Sequence, residues 1–192
     1  MTRLHLVRHG PTHAKSMVGW SDLPADLSDT DLVGRVADFL PDGALIVSSD
    51  LIRAADTADA IANGRHRLPH DPDLREIHFG DWELRRFAEI EEQDPDRLRA
   101  FWENPGDVRA PGGESWHEVS NRVSAAVDRL IEIHTGLDLV IVAHFGAILT
   151  QVQRAENLTA EQVFAHRIHN LSITEIHKTP TGWDLVRINH LP

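Results

Sequence analysis

Asp138-Leu139-Val140-Ile141-Val142-Ala143 is an unbroken apolar run, rich in β-branched residues, that ends on His144-Phe145-Gly146. A run apolar throughout, without alternation, suits a strand covered on both faces, as in a parallel sheet flanked by helices. Ala44-Leu45-Ile46-Val47 is a shorter version of the same signal. Arg3 to Arg8 alternates polar and apolar residues before the Gly10-Pro11 break and also reads as a strand. Each of the three is followed by a helical pattern, the signature of parallel βα units. Leu51 to Ala62 is one such helix, with Ile52, Ala55, Ala58 and Ile61 near helical spacing.

The rest of the chain extends this α/β reading. Ser115 to His134 is the longest predicted helix: Ser115 and Glu118 fit a capping box, and Val119, Val123, Val127 and Leu130 form its apolar stripe. Thr159-Ala160-Glu161-Gln162 opens another helix with the same kind of cap. Leu171 to His177, Pro180-Thr181-Gly182 and Trp183 to Asn189 together read as a β-hairpin. Residues 84 to 110 hold two short helices, broken by Asp94-Pro95 and Asn104-Pro105-Gly106. No repeat, low-complexity tract or linker interrupts the chain, so one domain spanning 1–192 is expected.

At 192 residues, 41% hydrophobic and 26% charged, the composition is that of an ordinary soluble globular protein. The first residues lead straight into a strand without a signal-peptide pattern, and no stretch is apolar for long enough to cross a bilayer. A cytoplasmic location is the expectation. Cysteine is absent, which excludes disulfides and thiolate chemistry. The net charge of −11 argues against a nucleic-acid or anionic-membrane partner and makes the positions of the arginines informative. The sequence does not specify an oligomeric state.

His9 follows the first strand and His144 the last of the three, and ligand sites in open parallel sheets lie beyond the carboxyl ends of the strands. The two histidines can therefore meet over one pocket. Arg8 lies beside His9, and Arg53 sits about a turn into the helix after Ser48-Ser49-Asp50. Arg8, His9, Arg53 and His144 would form a cationic nest inside an acidic protein, which is what a phosphoryl group requires. Neutral imidazole can attack phosphorus when its other ring nitrogen is held, often by a backbone carbonyl. Glu76, among apolar and aromatic neighbours, is the candidate proton donor to a leaving alkoxide; a salt bridge with Arg75 or another arginine is its structural alternative. Arg53 could likewise serve only to pair with Asp50 or Asp56. His66, His70 and His78 have no spacing that makes a convincing metal site. Trp82, Trp102 and Trp116 read as core or pocket wall, and Glu114 as charge at a helix N-terminus.

Arg8-His9-Gly10-Pro11-Thr12 resembles the RHGxT motif of the histidine phosphatase superfamily, the phosphoglycerate mutase-like proteins. Ser48-Ser49-Asp50-Leu51-Ile52-Arg53-Ala54 with Thr57-Ala58, Leu74 to Glu83, Pro111 to Ser115, Val142-Ala143-His144 and Asn170 to Glu175 resemble further motifs in family order. The resemblance covers nearly the whole chain. It implies a three-layer α/β/α sandwich with a mainly parallel central sheet. It also implies His9 as the phosphorylated nucleophile, Glu76 as proton donor, and Arg8, Arg53 and His144 as holders of the phosphoryl group. Thr12 would support the phosphate pocket, and no metal or organic cofactor would be needed. Four positions depart from the pattern. Lys15 stands where asparagine is frequent near the phosphate and can still donate to an anion; Pro11 replaces a glutamate, Leu84 a glycine, and Phe145 a glycine where a ring could pack on the leaving group.

A small phosphorylated substrate is the expected partner. Family mutases carry a longer insertion with extra basic residues between the Glu76 and Pro111-Gly112-Gly113 motifs, whereas this chain has a short stretch with Glu89, Glu91, Glu92, Asp94 and Asp96. Hydrolysis through phosphohistidine is thus the first expectation. A mutase-type phosphotransferase and a phosphate-binding module without turnover are the alternatives. A sugar phosphate, a nucleotide-loop phosphate such as α-ribazole phosphate, and a phosphopeptide all remain open as substrates.

Overall fold

The computed structural model describes residues 1–192. Its strands are β1 (Thr2–Arg8), β2 (Leu45–Ser48), β3 (Asp138–Ala143), β4 (Ile173–Thr179) and β5 (Gly182–His190). They form one sheet in the order β2-β3-β1-β4-β5. β1, β3 and β2 pair in parallel, Arg8 against Ala143 and Ser48 against Val142, while β4 pairs antiparallel both with β1 and, as the hairpin, with β5. The sheet is therefore mixed, parallel on the side of β1 to β3 and closed on the other by a hairpin that needs only a tight turn.

Seven helices flank it: α1 (Thr30–Phe39), α2 (Ile52–Ala60), α3 (Phe87–Gln93), α4 (Pro95–Glu103), α5 (Trp116–Ile133), α6 (Phe145–Glu156) and α7 (Ala160–Val163). Successive strand side chains point to opposite faces, and the core divides accordingly. Val7, Ile46, Val140 and Val142 pack with Val36 of α1 and with Ala54 and Ala58 of α2. Leu4, Leu6, Leu139 and Ile141 pack on the other face with Val119 and Val123 of α5, Leu149 of α6 and Leu98 of α4. The result is three layers, helix on sheet on helix. No helix is long and apolar enough to cross a membrane.

The boundaries follow local chemistry. Ser115 Oγ accepts from the Glu118 backbone N–H while the Glu118 carboxylate accepts from the Ser115 N–H, the reciprocal cap expected for α5. Thr159 and Gln162 do the same for α7. One connection differs from a simple βα unit. After β1 no helix begins until Thr30, and the intervening segment runs irregularly across the ends of the strands. That segment includes Gly19, Trp20 and Ser21, which reappear at the site.

Candidate active site

The carboxyl ends of β2, β3 and β1 lie side by side, so the residues after them stand in a row: Ser49, His144 and His9. Ladder bonds continue into that row, from Ser49 N to Val142 O (3.2 Å) and from His9 N to Ala143 O (3.1 Å). After β2 the chain turns to α2 on one face, and after β3 to α6 on the other. Such divergence of neighbouring connections opens a crevice over the strand ends. The rings of His9 and His144 lie in it, 5.0 Å apart between centroids.

His9 is fixed at both ends. Its Nδ1 is 2.6 Å from the carbonyl oxygen of Gly10, so Nδ1 carries the hydrogen and Nε2 the lone pair. Asn170 Nδ2 donates to the His9 carbonyl (2.8 Å), and the Gly10 N–H donates to Thr57 Oγ1 (2.9 Å) of α2. A Cβ on Gly10 would crowd Leu27 and the Asp26 carbonyl, so the turn needs glycine there. Burial, then the charges of Arg53 and Arg8, push the His9 imidazolium down to about 3, against a partial opposing effect of the Gly10 carbonyl. His144 is fully buried and is driven in the same direction by burial first and then by His9 and the arginines. Its Nε2 contacts Ser49 Oγ (2.6 Å), while its Nδ1 has no partner.

Arg53 is 1% exposed and forms no ion pair. Its Nε lies 3.2 Å from His9 Nε2, and its two Nη groups donate to Ser21 O (2.9 Å) and Gly19 O (2.6 Å). Arg8 donates from Nη1 to Ile168 O (2.6 Å), its Nε is buried without a partner, and its guanidinium lies over the Phe145 ring at 5.5 Å. Permanently charged groups held by carbonyl dipoles and a neutral imidazole, without an ion pair, have unspent capacity for an anion.

Glu76 closes the crevice. Its carboxylate accepts from the Gly146 N–H (3.0 and 3.1 Å) and from the Ile77 N–H (3.0 Å). Gly146 lies in the first turn of α6, whose N-cap is His144, so Glu76 satisfies an orphan donor that no local side chain serves. Any Cβ on Gly146 would overlap Glu76 Oε1. The salt-bridge alternatives do not occur: Arg75 binds both Asp50 oxygens (2.7 and 2.5 Å), which leaves Glu76 without an ion pair and Arg53 without Asp50.

Of the residues predicted from sequence, Arg8, His9, Arg53, Glu76 and His144 converge. Thr12 has only a local contact, its Oγ1 accepting from the Ala14 N–H at 3.5 Å, and Lys15 is solvent-exposed without an ion pair. Glu114 does more than charge a helix terminus: it grips Arg122 through both oxygens (2.8 and 2.7 Å) and accepts from the His78 N–H (2.9 Å). Arg122 in turn donates to the carbonyls of Asp73, Arg75 and Glu76, and Trp20 Nε1 donates to the Glu76 carbonyl (2.8 Å), so the backbone under Glu76 is clamped from two sides. Ser49, Trp20, Arg122 and Glu83 carry support roles the sequence did not assign. Ser49 and Glu83 lie within quoted motifs, which was their signal; Trp20 and Arg122 lie outside them.

Past Glu76 lies a narrow apolar hollow, walled by Phe79, Phe101, Trp102, Trp116, Phe145 and Phe164. Phe101 and Trp102 belong to α4, so the second of the two short helices between residues 84 and 110 forms part of its wall. Trp82 is core and lies outside it.

A family model described as histidine phosphatase superfamily (branch 1) matches residues 4–191. The chain is 30% identical, over 95% of its length and 88% of theirs, to a probable phosphoglycerate mutase of Proteus mirabilis. Among solved structures it resembles Bacillus stearothermophilus YhfR (TM-score 0.92, 27% identity, 100% of this chain and 98% of that one). It also resembles a mycobacterial glucosyl-3-phosphoglycerate phosphatase (TM-score 0.84, 30% identity, 99% of each). The chain spans about half the length (50%) of the mycobacterial curated relatives it matches.

Proposed function

The chain belongs to the histidine phosphatase superfamily, and from that premise we propose that it hydrolyses a small organic phosphomonoester through a phosphohistidine on His9. The observation that carries this reading is the state of His9. Its Nδ1 hydrogen is spent on the Gly10 carbonyl, and its Nε2 lone pair accepts from Arg53 Nε in a pocket where buried Arg53 and half-buried Arg8 have no ion pair. The phosphate dianion brings the direct counter-ion that Arg8 and Arg53 do not have. Arg8, Arg53 and His144 hold the equatorial oxygens, and His9 Nε2 attacks phosphorus in line.

As the P–N bond forms, the P–O bond to the alcohol breaks, and protonated Glu76 gives its proton to the leaving oxygen. A water then enters the vacated side. Glu76, now a carboxylate, takes a proton from it while its oxygen attacks phosphorus. The P–N bond breaks, inorganic phosphate leaves, and His9 and Glu76 return to their starting states. No step calls for a metal.

The relatives include both a phosphatase and a probable mutase, and the two differ in what receives the phosphoryl group. Water is favoured here because the segment around α3 and α4 supplies Glu89, Glu91, Glu92, Asp94 and Asp96, charges unsuited to retaining an acidic second substrate. The test is hydrolysis of a chromogenic aryl phosphate in excess chelator by wild type and by His9→Ala. Chelator-resistant release by wild type, lost in His9→Ala, is expected. Absence of release by wild type would overturn the hydrolase reading; transfer between phosphoglycerates would replace it with the mutase.

A further inference from the structure

Resting on the role given above to His144 as a holder of the phosphoryl group, we infer that Ser49 is a positioning residue. It fixes which nitrogen of His144 carries the hydrogen, and so makes a neutral imidazole a donor to the phosphate. A neutral imidazole has one N–H and one lone pair, and only the N–H can usefully face an anion. Burial, with His9 and the arginines beside it, holds His144 in its neutral form. With no second hydrogen on the ring, the tautomer decides whether His144 attracts or repels a phosphoryl oxygen.

The hydrogen bonds around the ring select one tautomer. Ser49 Oγ stands 2.6 Å from His144 Nε2, and both residues are fully buried. The hydroxyl has no other partner. Suppose Nε2 carried the hydrogen and donated to Oγ. The hydroxyl hydrogen would then lack an acceptor, and the bare Nδ1 would lack a donor. With the hydroxyl donating to Nε2 instead, the ring hydrogen sits on Nδ1, and that N–H is the single group left unpaired. Unpaired buried polar groups are costly, so the second arrangement is the one held. The Nδ1 N–H is also placed for use. Ser49, His144 and His9 follow β2, β3 and β1 in that order, so Ser49 and His9 lie on opposite sides of His144. Nε2 is turned to Ser49, and Nδ1 is the nitrogen left for the crevice it shares with the His9 ring. His9 uses the same tautomer the other way round: its Nδ1 hydrogen goes to the Gly10 carbonyl, and its lone pair is kept for phosphorus. One neutral histidine thus offers a lone pair to phosphorus and the other an N–H to a phosphoryl oxygen.

The test reads the tautomer directly. In long-range proton–nitrogen NMR spectra of isotope-labelled protein, His144 is assigned by the signal lost in His144→Gln. Wild type is expected to carry the hydrogen on Nδ1, and inorganic phosphate should shift that N–H and leave it in place. A hydrogen on Nε2 in wild type, or an Nδ1 N–H that phosphate does not move, would overturn the inference. Ser49→Ala should shift hydrogen to Nε2 in part of the molecules and weaken inorganic phosphate about tenfold, as loss of a hydrogen bond to a charged group gives. KM for a phosphate ester should rise by a like factor with kcat changing less, because ground and transition states lose the same donor. A Ser49→Ala protein that is less stable but keeps the wild-type tautomer and phosphate affinity would show Ser49 to be structural only, and the inference would fall. Should Ser49→Ala not fold, the wild-type spectra alone decide. These readings use inorganic phosphate and stand apart from turnover. Wild type that binds phosphate through Nδ1 and hydrolyses no ester would uphold the role of Ser49 and remove the hydrolase.

Discussion

Protonating His9 would place another positive charge beside Arg8 and Arg53 where little water reaches. The ring titrates at about 3 in the folded chain against an ordinary 6.5. Between those values the unfolded chain binds a proton that the folded chain refuses, so stability rises with pH across that window and is lost as pH falls from 6.5 towards 3. The urea midpoint of wild type should thus fall more steeply with acidification than that of His9→Asn, which lacks this titration. Equal slopes would mean His9 takes its proton in the native state. Gly146 is as demanding in another way. Gly146→Ala must push the Glu76 carboxylate off the start of α6, and kcat on an alkyl phosphate should drop on the order of a hundredfold, the lower range of general acid–base contributions. The loss should be smaller on p-nitrophenyl phosphate, whose leaving group needs no proton; equal losses would show that Gly146 acts other than through Glu76.

The irregular stretch after β1 owes its shape to Glu83. Its carboxylate accepts from the N–H groups of Gly19 (3.0 Å), Trp20 (2.7 Å), Ser21 (3.2 Å) and Phe79 (3.2 Å) and from Ser21 Oγ (2.6 Å). Burial alone would raise its titration point, but these donors outweigh burial and leave it lowered. The loop so held presents the Gly19 and Ser21 carbonyls to Arg53, and Asp22 Oδ1 accepts from the Ile52 N–H at the start of α2 (2.7 Å). Glu83→Ala leaves four backbone donors without this acceptor; KM for a phosphate ester should rise about tenfold, with kcat changing less, because Arg53 would lose its fixed direction. An unchanged KM would show that the loop holds its form without Glu83. The contrast with α5 is instructive. Its cap and stripe lay within one local window, so Ser115, Glu118, Val119, Val123, Val127 and Leu130 announced the helix, and Arg8, His9, Arg53 and His144 were legible because each follows a strand signal. The support roles of Trp20, Glu83 and Arg122 were not, because the backbone groups they hold at the site stand 46 to 64 residues away and no short pattern encodes such a meeting. Lys15, a basic residue near the motif, lies exposed and free of ion pairs.

Across the whole molecule the sheet separates two apolar layers that share no side chains. Ile61 lies in the layer of α1 and α2, Leu149 in the layer of α5 and α6, and both are fully buried. Ile61→Val should cost about 0.5–1.5 kcal/mol and Leu149→Ala about 2–5 kcal/mol of unfolding free energy. Measured by denaturant unfolding, the two should add within about 0.5 kcal/mol, because the sheet lies between them. A larger coupling would mean that the strands transmit strain from one layer to the other.

The pairing of β1 with β3 also bears on how the molecule is made. Arg3 meets Asp138 and Arg8 meets Ala143, so the strand that delivers His9 must wait for residues far along the chain before it has a neighbour. Its other neighbour, β4, comes later still. No amino-terminal portion of the growing chain can therefore assemble the site. Contacts of such long range make assembly slow and leave an apolar strand edge bare on the ribosome. The same dependence makes turnover a faithful report of completed folding: a molecule refolding from denaturant regains no activity until β1 has met β3 and β4.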